Sequence, residues 1–333
     1  MSNRPAAWLG RLKIDGYLLL IVGAAALASV LPARGESAAA LGWTTKIGIA
    51  VVFFLHGARL SRDAVIAGLV HWRLHLVVLS VTYGFFPLLC LALSALPASV
   101  TPEVLVPGLI FLGCLPSTIQ ASIAMTAVAR GNVPAAVAAA SFSNVLGVFL
   151  TPLLVGLLLH HVQGQGPSLQ SIQPIIAQLL LPFVAGHLLR PWIGEWVSAR
   201  AKQLGNLDRA TIIMVVYTAF GAAVVAGLWT RVGAADLAKV AALCGLLLSL
   251  SLLTTLALGR LLGFDRADRV AIVMCGSKKS LATAAPMASV LFPAASAGLA
   301  ILPVMIFHQI QLMTCTAIAQ AWAKRDDKRP ESG

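Results

Sequence analysis

Residues Cys275–Phe292 read CGSKKSLATAAPMASVLF, in which Gly276–Ser280 sets a glycine, two serines and two adjacent lysines inside the apolar run 269–292. An earlier stretch, Gly113–Asn132, reads GCLPSTIQASIAMTAVARGN and has the same plan: a hydrophobic run, a short Gly- and Ser-containing polar patch, then a helix of small residues. A proline or glycine kink is common in membrane helices and would explain Pro116 or Gly276 taken singly. Two interruptions at corresponding places in two halves of a chain point instead to discontinuous helices around a transport site.

Working outward, both stretches belong to a series of apolar runs near 15–33, 42–58, 74–96, 103–130, 134–160, 170–190, 209–229, 236–260, 269–292 and 298–322. A membrane crossing needs about 20 mainly apolar residues. The 333 residues are 59% hydrophobic and 11% charged, with a mean hydropathy of +0.88, against about 25% charge in a soluble domain. That much apolar surface cannot hide in one water-soluble core. The expected fold is therefore an all-α integral membrane protein of ten transmembrane helices. Five spans repeated twice give two halves of opposite orientation, residues 1–160 and 161–333, each with one discontinuous helix, the fourth and the ninth.

Ten spans put both termini on one side, and the basic residues choose it. Arg4, Arg11, Lys13, Arg59, Arg62, Arg73, Arg130, Arg190, Arg200, Lys202, Arg209, Arg260, Arg266, Arg269, Lys324, Arg325, Lys328 and Arg329 fall on one face. Only Arg34, Lys46, Arg231 and Lys239 fall on the other. Excess Lys and Arg marks the cytoplasmic side, so both termini are expected in the cytoplasm and the protein in the cell inner membrane. The net charge of +12 is spread over these short segments, which argues against nucleic acid as a partner and for the lipid bilayer. The first run is followed by nine more and reads as a retained span, not a cleaved leader. Cys90, Cys114, Cys244, Cys275 and Cys315 lie in apolar runs without metal-ligand spacing and read as inert buried thiols; no metal site or cofactor is expected.

All twelve acidic residues fall at span ends or in loops, so no buried carboxylate offers a proton or sodium site. Lys278 and Lys279 do lie at depth. A charge near the bilayer centre costs roughly 2.5–3.5 kcal/mol on insertion scales and usually faces a cavity; snorkelling suits a lysine at a helix end better than one inside a run. If the ninth span unwinds here, the free carbonyls of its first half attract an ammonium. The N–H groups of its second half, with the other lysine, are left for an anionic substrate. Ser277 and Ser280 flank the pair, and Ser117, Thr118, Gln120 and Ser122 form the matching patch. Ser141, Ser143 and Asn144 in the fifth span, with His308, Gln309 and Gln311 in the tenth, are expected to face the same region. Small polar side chains also glue membrane helices at about 0.6 kcal/mol each, which is the plainer role for any one of them. His56 suits a cavity or an interface equally, and His160 and His161 read as loop residues.

The motifs at Gly113–Gly147, Gly276–Pro286 and Phe307–Cys315, in that order and in those spans, resemble the bile acid:sodium symporter family along nearly the whole chain. The resemblance implies discontinuous fourth and ninth helices that cross at mid-membrane, a core domain of spans 3–5 and 8–10, a panel domain of spans 1, 2, 6 and 7, and alternating access between the two domains. It also implies that the sodium sites are altered. Met274 stands where sodium-coupled members have a glutamate, Lys278 and Lys279 where they have a Gln-Asn pair, and Ile123 near an asparagine. Ala136 and Ala140 replace hydroxyl ligands, and only Ser122 matches a sodium-ligand serine.

The expected function is secondary active transport of a small organic anion, with an ammonium in place of sodium and transport sodium-independent by uniport, exchange or proton linkage. A sodium-coupled bile-acid-like symporter and a non-transporting regulatory membrane protein or channel stand as alternatives. An enzyme is not expected, because no nucleophile, base or metal set converges.

Overall fold

The computed structural model describes residues 16–59, 71–163 and 175–326. Arg4, Arg11, Lys13, Arg62, Lys328 and Arg329, used above for orientation, lie outside the described residues, as do Asp15, Asp63, Asp327 and Glu331. The described residues contain helices and no strand. In chain order these are α1 (Gly16–Val30), α2 (Gly35–Arg59), α3 (Trp72–Ser94), α4 (Glu103–Cys114), α5 (Ile119–Val128), α6 (Val133–Gln163) and α7 (Ile176–Ala199). They are followed by α8 (Ala201–Val225), α9 (Ala234–Leu261), α10 (Arg266–Gly276), α11 (Leu281–Leu291) and α12 (Ala294–Asp326). A single turn, Leu228–Arg231, joins α8 to α9.

Helices alone are what an apolar chain allows in lipid, since every backbone N–H and C=O must find its partner within the segment. Seven of them, α2, α3, α6, α7, α8, α9 and α12, are long and apolar enough to cross a membrane, and the bent pair α4–α5 makes an eighth. The chain is a multi-pass membrane protein. The outer faces are apolar as well: Leu153, Leu157, Leu188 and Leu253 are more than 60% exposed, which suits a surface solvated by acyl chains. The expected first and ninth spans differ from the rest. The apolar part of α1 is the short segment Leu19–Val30, and α10–α11 carries Arg266, Asp268, Arg269 and both lysines.

Two boundaries shift with consequences. Helix α2 begins at Gly35, seven residues before the apolar run, because GESAAAL continues as helix despite its polar residues. Lys46, counted above among the basic residues of the opposite face, thereby lies eleven residues from the helix start. His160 and His161, read as loop residues, lie in the last turn of α6.

Packing follows small residues. Helices α2 and α7 run against each other over a long interface, and α8 packs on both α1 and α12. At the α2–α7 crossing, a Cβ on Gly57 would overlap the carbonyl of Phe183 and one on Gly186 the carbonyl of Phe54. The two backbones touch directly, a contact in which lipid offers no competing apolar advantage and close approach supplies the attraction. At the basic end of the same pair, Asp208 on α8 lies 3.5 Å from His56 Nε2 and 3.8 Å from Arg59 Nη1, so His56 serves an interhelical contact.

Gly57→Val forces these two backbones apart. Overpacking costs typically about 1–3 kcal/mol, so the purified variant should melt several degrees lower in detergent than the wild type, measured by loss of the monodisperse size-exclusion peak after heating. An unchanged melting curve would show that the α2–α7 contact is looser than described.

Candidate ion and substrate site

Both quoted stretches unwind. Helix α4 ends at Cys114 and α5 starts at Ile119, with Leu115 and Thr118 extended and a 61° bend between the halves. Helix α10 ends at Gly276 and α11 starts at Leu281, leaving Ser277–Ser280 outside regular helix. The two breaks lie against each other. Ser280 N donates to Pro116 O at 2.9 Å, Ser117 Oγ to Cys275 O at 2.6 Å, and Thr118 Oγ1 to Lys279 O at 2.9 Å.

Unwinding leaves backbone groups without helical partners, and each orphan must be met from elsewhere. Helix α6 meets those of the first break along one face, where residues three, four and seven apart align. Ser143 Oγ accepts from Ser117 N at 3.1 Å, Asn144 Nδ2 donates to Ser117 O at 2.7 Å, and Thr151 Oγ1 to Cys114 O at 2.8 Å. Gly147 is part of this face because a Cβ there would come within 2.8 Å of Pro116 Cβ. Helix α12 meets those of the second break through one side chain. Gln311 Oε1 accepts from Lys279 N and Gln311 Nε2 donates to Lys279 O, both at 2.8 Å, and Nε2 also lies 2.9 Å from His308 Nδ1. Thr283 Oγ1, donating to Asn144 Oδ1 at 3.0 Å, ties α11 to α6.

The lysines are both fully buried, but their surroundings differ. Lys279 Nζ donates to Thr82 O and Gly113 O at 2.7 Å and to Leu115 O at 2.8 Å, and sits 4.3 Å from the centroid of the Phe86 ring. Three donors meet three carbonyls, each a charge-assisted bond worth about 1.5–3 kcal/mol. These carbonyls are free for stated reasons. Gly113 O and Leu115 O lie at the end of α4, where the helix has stopped. Thr82 lies in a π-helical turn, Val81–Phe85, in which Phe86 N bonds five residues back to Val81 O. Continued in that register, Thr82 O would need the N–H of Pro87, which proline lacks. The sequence expectation is corrected here: the cation is held by α4 and α3, not by the first half of its own span.

Lys278 Nζ donates to Ala121 O at 3.2 Å and meets Met125 Sδ at 2.8 Å, both on α5. One carbonyl and a thioether are a poorer set than three carbonyls. Ser122 Oγ, buried on the same helix, finds no hydrogen-bond partner beyond the neighbouring Cys275 thiol. The expectation that one lysine faces a substrate cavity is not met in this conformation.

Of the remaining candidates, Ser280 Oγ caps α11 by accepting from Thr283 N at 3.2 Å, and Ser277 Oγ donates to Val273 O at 2.6 Å in its own helix. Gln120 is exposed, Ser141 half-buried, and Gln309 Oε1 buried without a hydrogen-bond partner; none of the three enters the network. Sequence reading passed over Thr82, Phe86 and Thr151. The signal for the first two is Pro87 within the apolar run VTYGFFPLL.

Lys279→Met removes one charge and strands three buried carbonyls, at about 1–3 kcal/mol each. It should destabilise the protein far more than Lys278→Met, compared by thermal unfolding in the same detergent. The reverse order would contradict the unequal surroundings described here.

Residues 15–324 match the model of the SBF-like CPA transporter family. Over 314 residues the chain is 52% identical to protein PA2026 of Pseudomonas aeruginosa, covering 94% of each. It is 46% identical to the candidate symporter YfeH of Escherichia coli (strain K12), covering 95% of each. It is 27% identical to the sodium/bile acid cotransporter 7 of Rattus norvegicus, covering 92% of this chain and 91% of that one. Near full-length similarity of this kind, with the broken helices and their buried lysines in the matched region, makes the chain a member of the SBF-like CPA transporter family.

Proposed function

We propose that this protein is a secondary carrier that moves a small organic anion across the cell inner membrane by alternating access, without sodium. The observation that carries the proposal is the Lys279 ammonium, held by three backbone carbonyls at the meeting point of two broken helices. Carbonyl cages of this kind bind a bare cation where half-helices end. An ammonium on a side chain fills such a cage permanently, so no dissolved cation is needed there.

The proposal includes ten spans, counting α1 and the α10–α11 pair with the eight segments above, arranged as two inverted repeats of residues 1–160 and 161–333. Several features favour it. Each half contains one interrupted span, each interruption is braced by the long helix that follows it, and α1 packs on α8 as α7 packs on α2. On this reading α3–α6 and α9–α12 form a core that moves against a panel of α1, α2, α7 and α8. The described basic residues Arg59, Arg73, Arg130, Arg200, Arg260 and Arg266 lie near helix ends that this reading assigns to the cytoplasm, which favours both termini inside.

Lys278 is assigned to the substrate. Its ammonium has the weaker ligand set and rests on α5, beside Thr118 and Gln120, which are partly open to the outside of the fold. An anion entering there offers better acceptors than a thioether. Ser117, Ser122, Ser141, Ser143, Asn144, Ser277, Ser280, His308, Gln309 and Gln311 are proposed to shape and brace this site.

Uptake of a panel of radiolabelled organic acids into proteoliposomes tests the reading. Transport of the accepted acid should persist when sodium is replaced by choline, and unlabelled acid on the far side should accelerate it. Lys278→Gln should lower uptake by roughly tenfold or more, equivalent to about 1.4 kcal/mol of lost binding. A strong loss of wild-type uptake in choline would establish sodium coupling instead, and no uptake of any acid would favour a regulatory role.

A further inference from the structure

The turn that joins α9 to α10 gathers arginines from both of its helices and from α3. Helix α9 ends at Leu261, and Gly263, at φ 72°, lets Phe264 N bond back to Gly259 O at 3.2 Å. Glycine closes a helix in this left-handed conformation without a Cβ clash. The turn sets the end of α9 against the start of α10, where a Cβ on Gly259 would meet Arg269 Cγ at 3.0 Å. Arg73, at the start of α3, reaches the same turn: its Nη2 donates to Leu262 O at 3.1 Å, and its guanidinium lies 5.5 Å from the centroid of the Phe264 ring. Arg269 Nε donates to Asp265 O at 3.3 Å, and Arg260 is exposed in the last turn of α9.

None of these three arginines forms an ion pair with a carboxylate among the described residues. The two acids of the turn are engaged by neutral groups. Asp265 Oδ1 accepts from Asp268 N at 2.7 Å, and Asp268 Oδ1 from Asn132 Nδ2 at 2.8 Å. Arg266 is turned toward α12, where it donates to Trp322 O at 3.4 Å. The corner therefore keeps a surplus of positive charge. Apolar stripes run into it. On α3, Trp72 is 61% exposed and Leu76 follows one turn on; on α9, exposed Leu253 leads to Leu261, which is 81% exposed. Residues four and eight apart share one helix face. An exposed tryptophan at the end of an apolar stripe is the usual composition of a membrane–water interface.

We propose that this corner binds the headgroup of an anionic phospholipid, its phosphate among Arg73, Arg260 and Arg269 and its acyl chains along Trp72, Leu76, Leu253 and Leu261. Charge complementarity selects the occupant. Guanidinium forks match phosphate oxygens, and the adjoining apolar faces suit a molecule with a negative head and apolar tails. A zwitterionic headgroup brings an ammonium of its own, which the arginines repel. The site goes beyond the transport reading and stands without it, because no residue of the lysine-pair centre takes part.

The full-length protein in phosphatidylcholine nanodiscs, with a graded fraction of dibrominated lipid, tests the site, since bromine quenches tryptophan only at contact. The fluorescence lost between wild type and Trp72→Phe isolates Trp72. Dibrominated phosphatidylglycerol should half-quench Trp72 at a mole fraction about fivefold or more below that needed with dibrominated phosphatidylcholine. Arg260→Gln, which removes none of the hydrogen bonds described, should cut this preference to about half or less, as expected for one surface arginine, and Arg260→Lys should keep most of it. Arg260→Gln combined with Arg269→Gln should abolish it; all variants are checked for a monodisperse profile. Lys202→Gln, at the start of α8, should leave it unchanged. Equal quenching by the two lipids, an unchanged preference in the double variant, or an equal loss in Lys202→Gln would overturn the proposal. So would displacement of the lipid by millimolar inorganic phosphate, which would mark a site for soluble anions.

Discussion

The structure depends on how one ammonium is satisfied where water is absent. Lys279 has no carboxylate near it among the described residues, and a buried charge without partners is too costly to keep. Its three donors are met by Thr82, Gly113 and Leu115 carbonyls, and these exist as free acceptors only because α4 stops and α3 slips into a π-helical turn before Pro87. Continuous helices there would leave the lysine unsatisfied, while an apolar residue at 279 would leave the carbonyls unsatisfied. The break in one span and the lysine of another therefore require each other.

The frame around that contact has the same logic. Unwound backbone at membrane depth persists only when its polar groups are re-partnered inside the protein. Helices α6 and α12 do this with a few side chains each: Ser143, Asn144 and Thr151 from one, Gln311 with His308 from the other. Polar residues of this kind are worth little singly, but a network in a low-dielectric setting fails badly when one member is lost. Ser277 and Ser280 serve their own helix ends, which separates capping groups from groups that join the two spans.

The two buried lysines illustrate different solutions to one electrostatic problem. Lys279 is solvated by backbone and an aromatic face, and Lys278 by a carbonyl and a thioether. A cation tethered by its side chain occupies its cage without dissociating, unlike a dissolved ion. Within a family whose relatives include a protein named a sodium/bile acid cotransporter, that difference in chemistry is what gives the lysine pair its interest.

Sequence alone determined the solvent, the approximate crossing segments and the two interruptions, because these rest on composition, run length and the cost of charge in lipid. It also drew Ser143, Asn144, Gln311 and the lysines to one region. It assigned the carbonyls that hold an ammonium to the first half of the ninth span, whereas those around Lys279 come from α3 and α4. Which carbonyls are free, that Lys278 and Lys279 lie in unequal surroundings, and that Gln120 stays outside the network were decided only by tertiary structure. The reason is that side-chain hydrogen bonds to backbone carbonyls across the two breaks join residues more than 150 positions apart, and no local pattern encodes which orphan meets which donor.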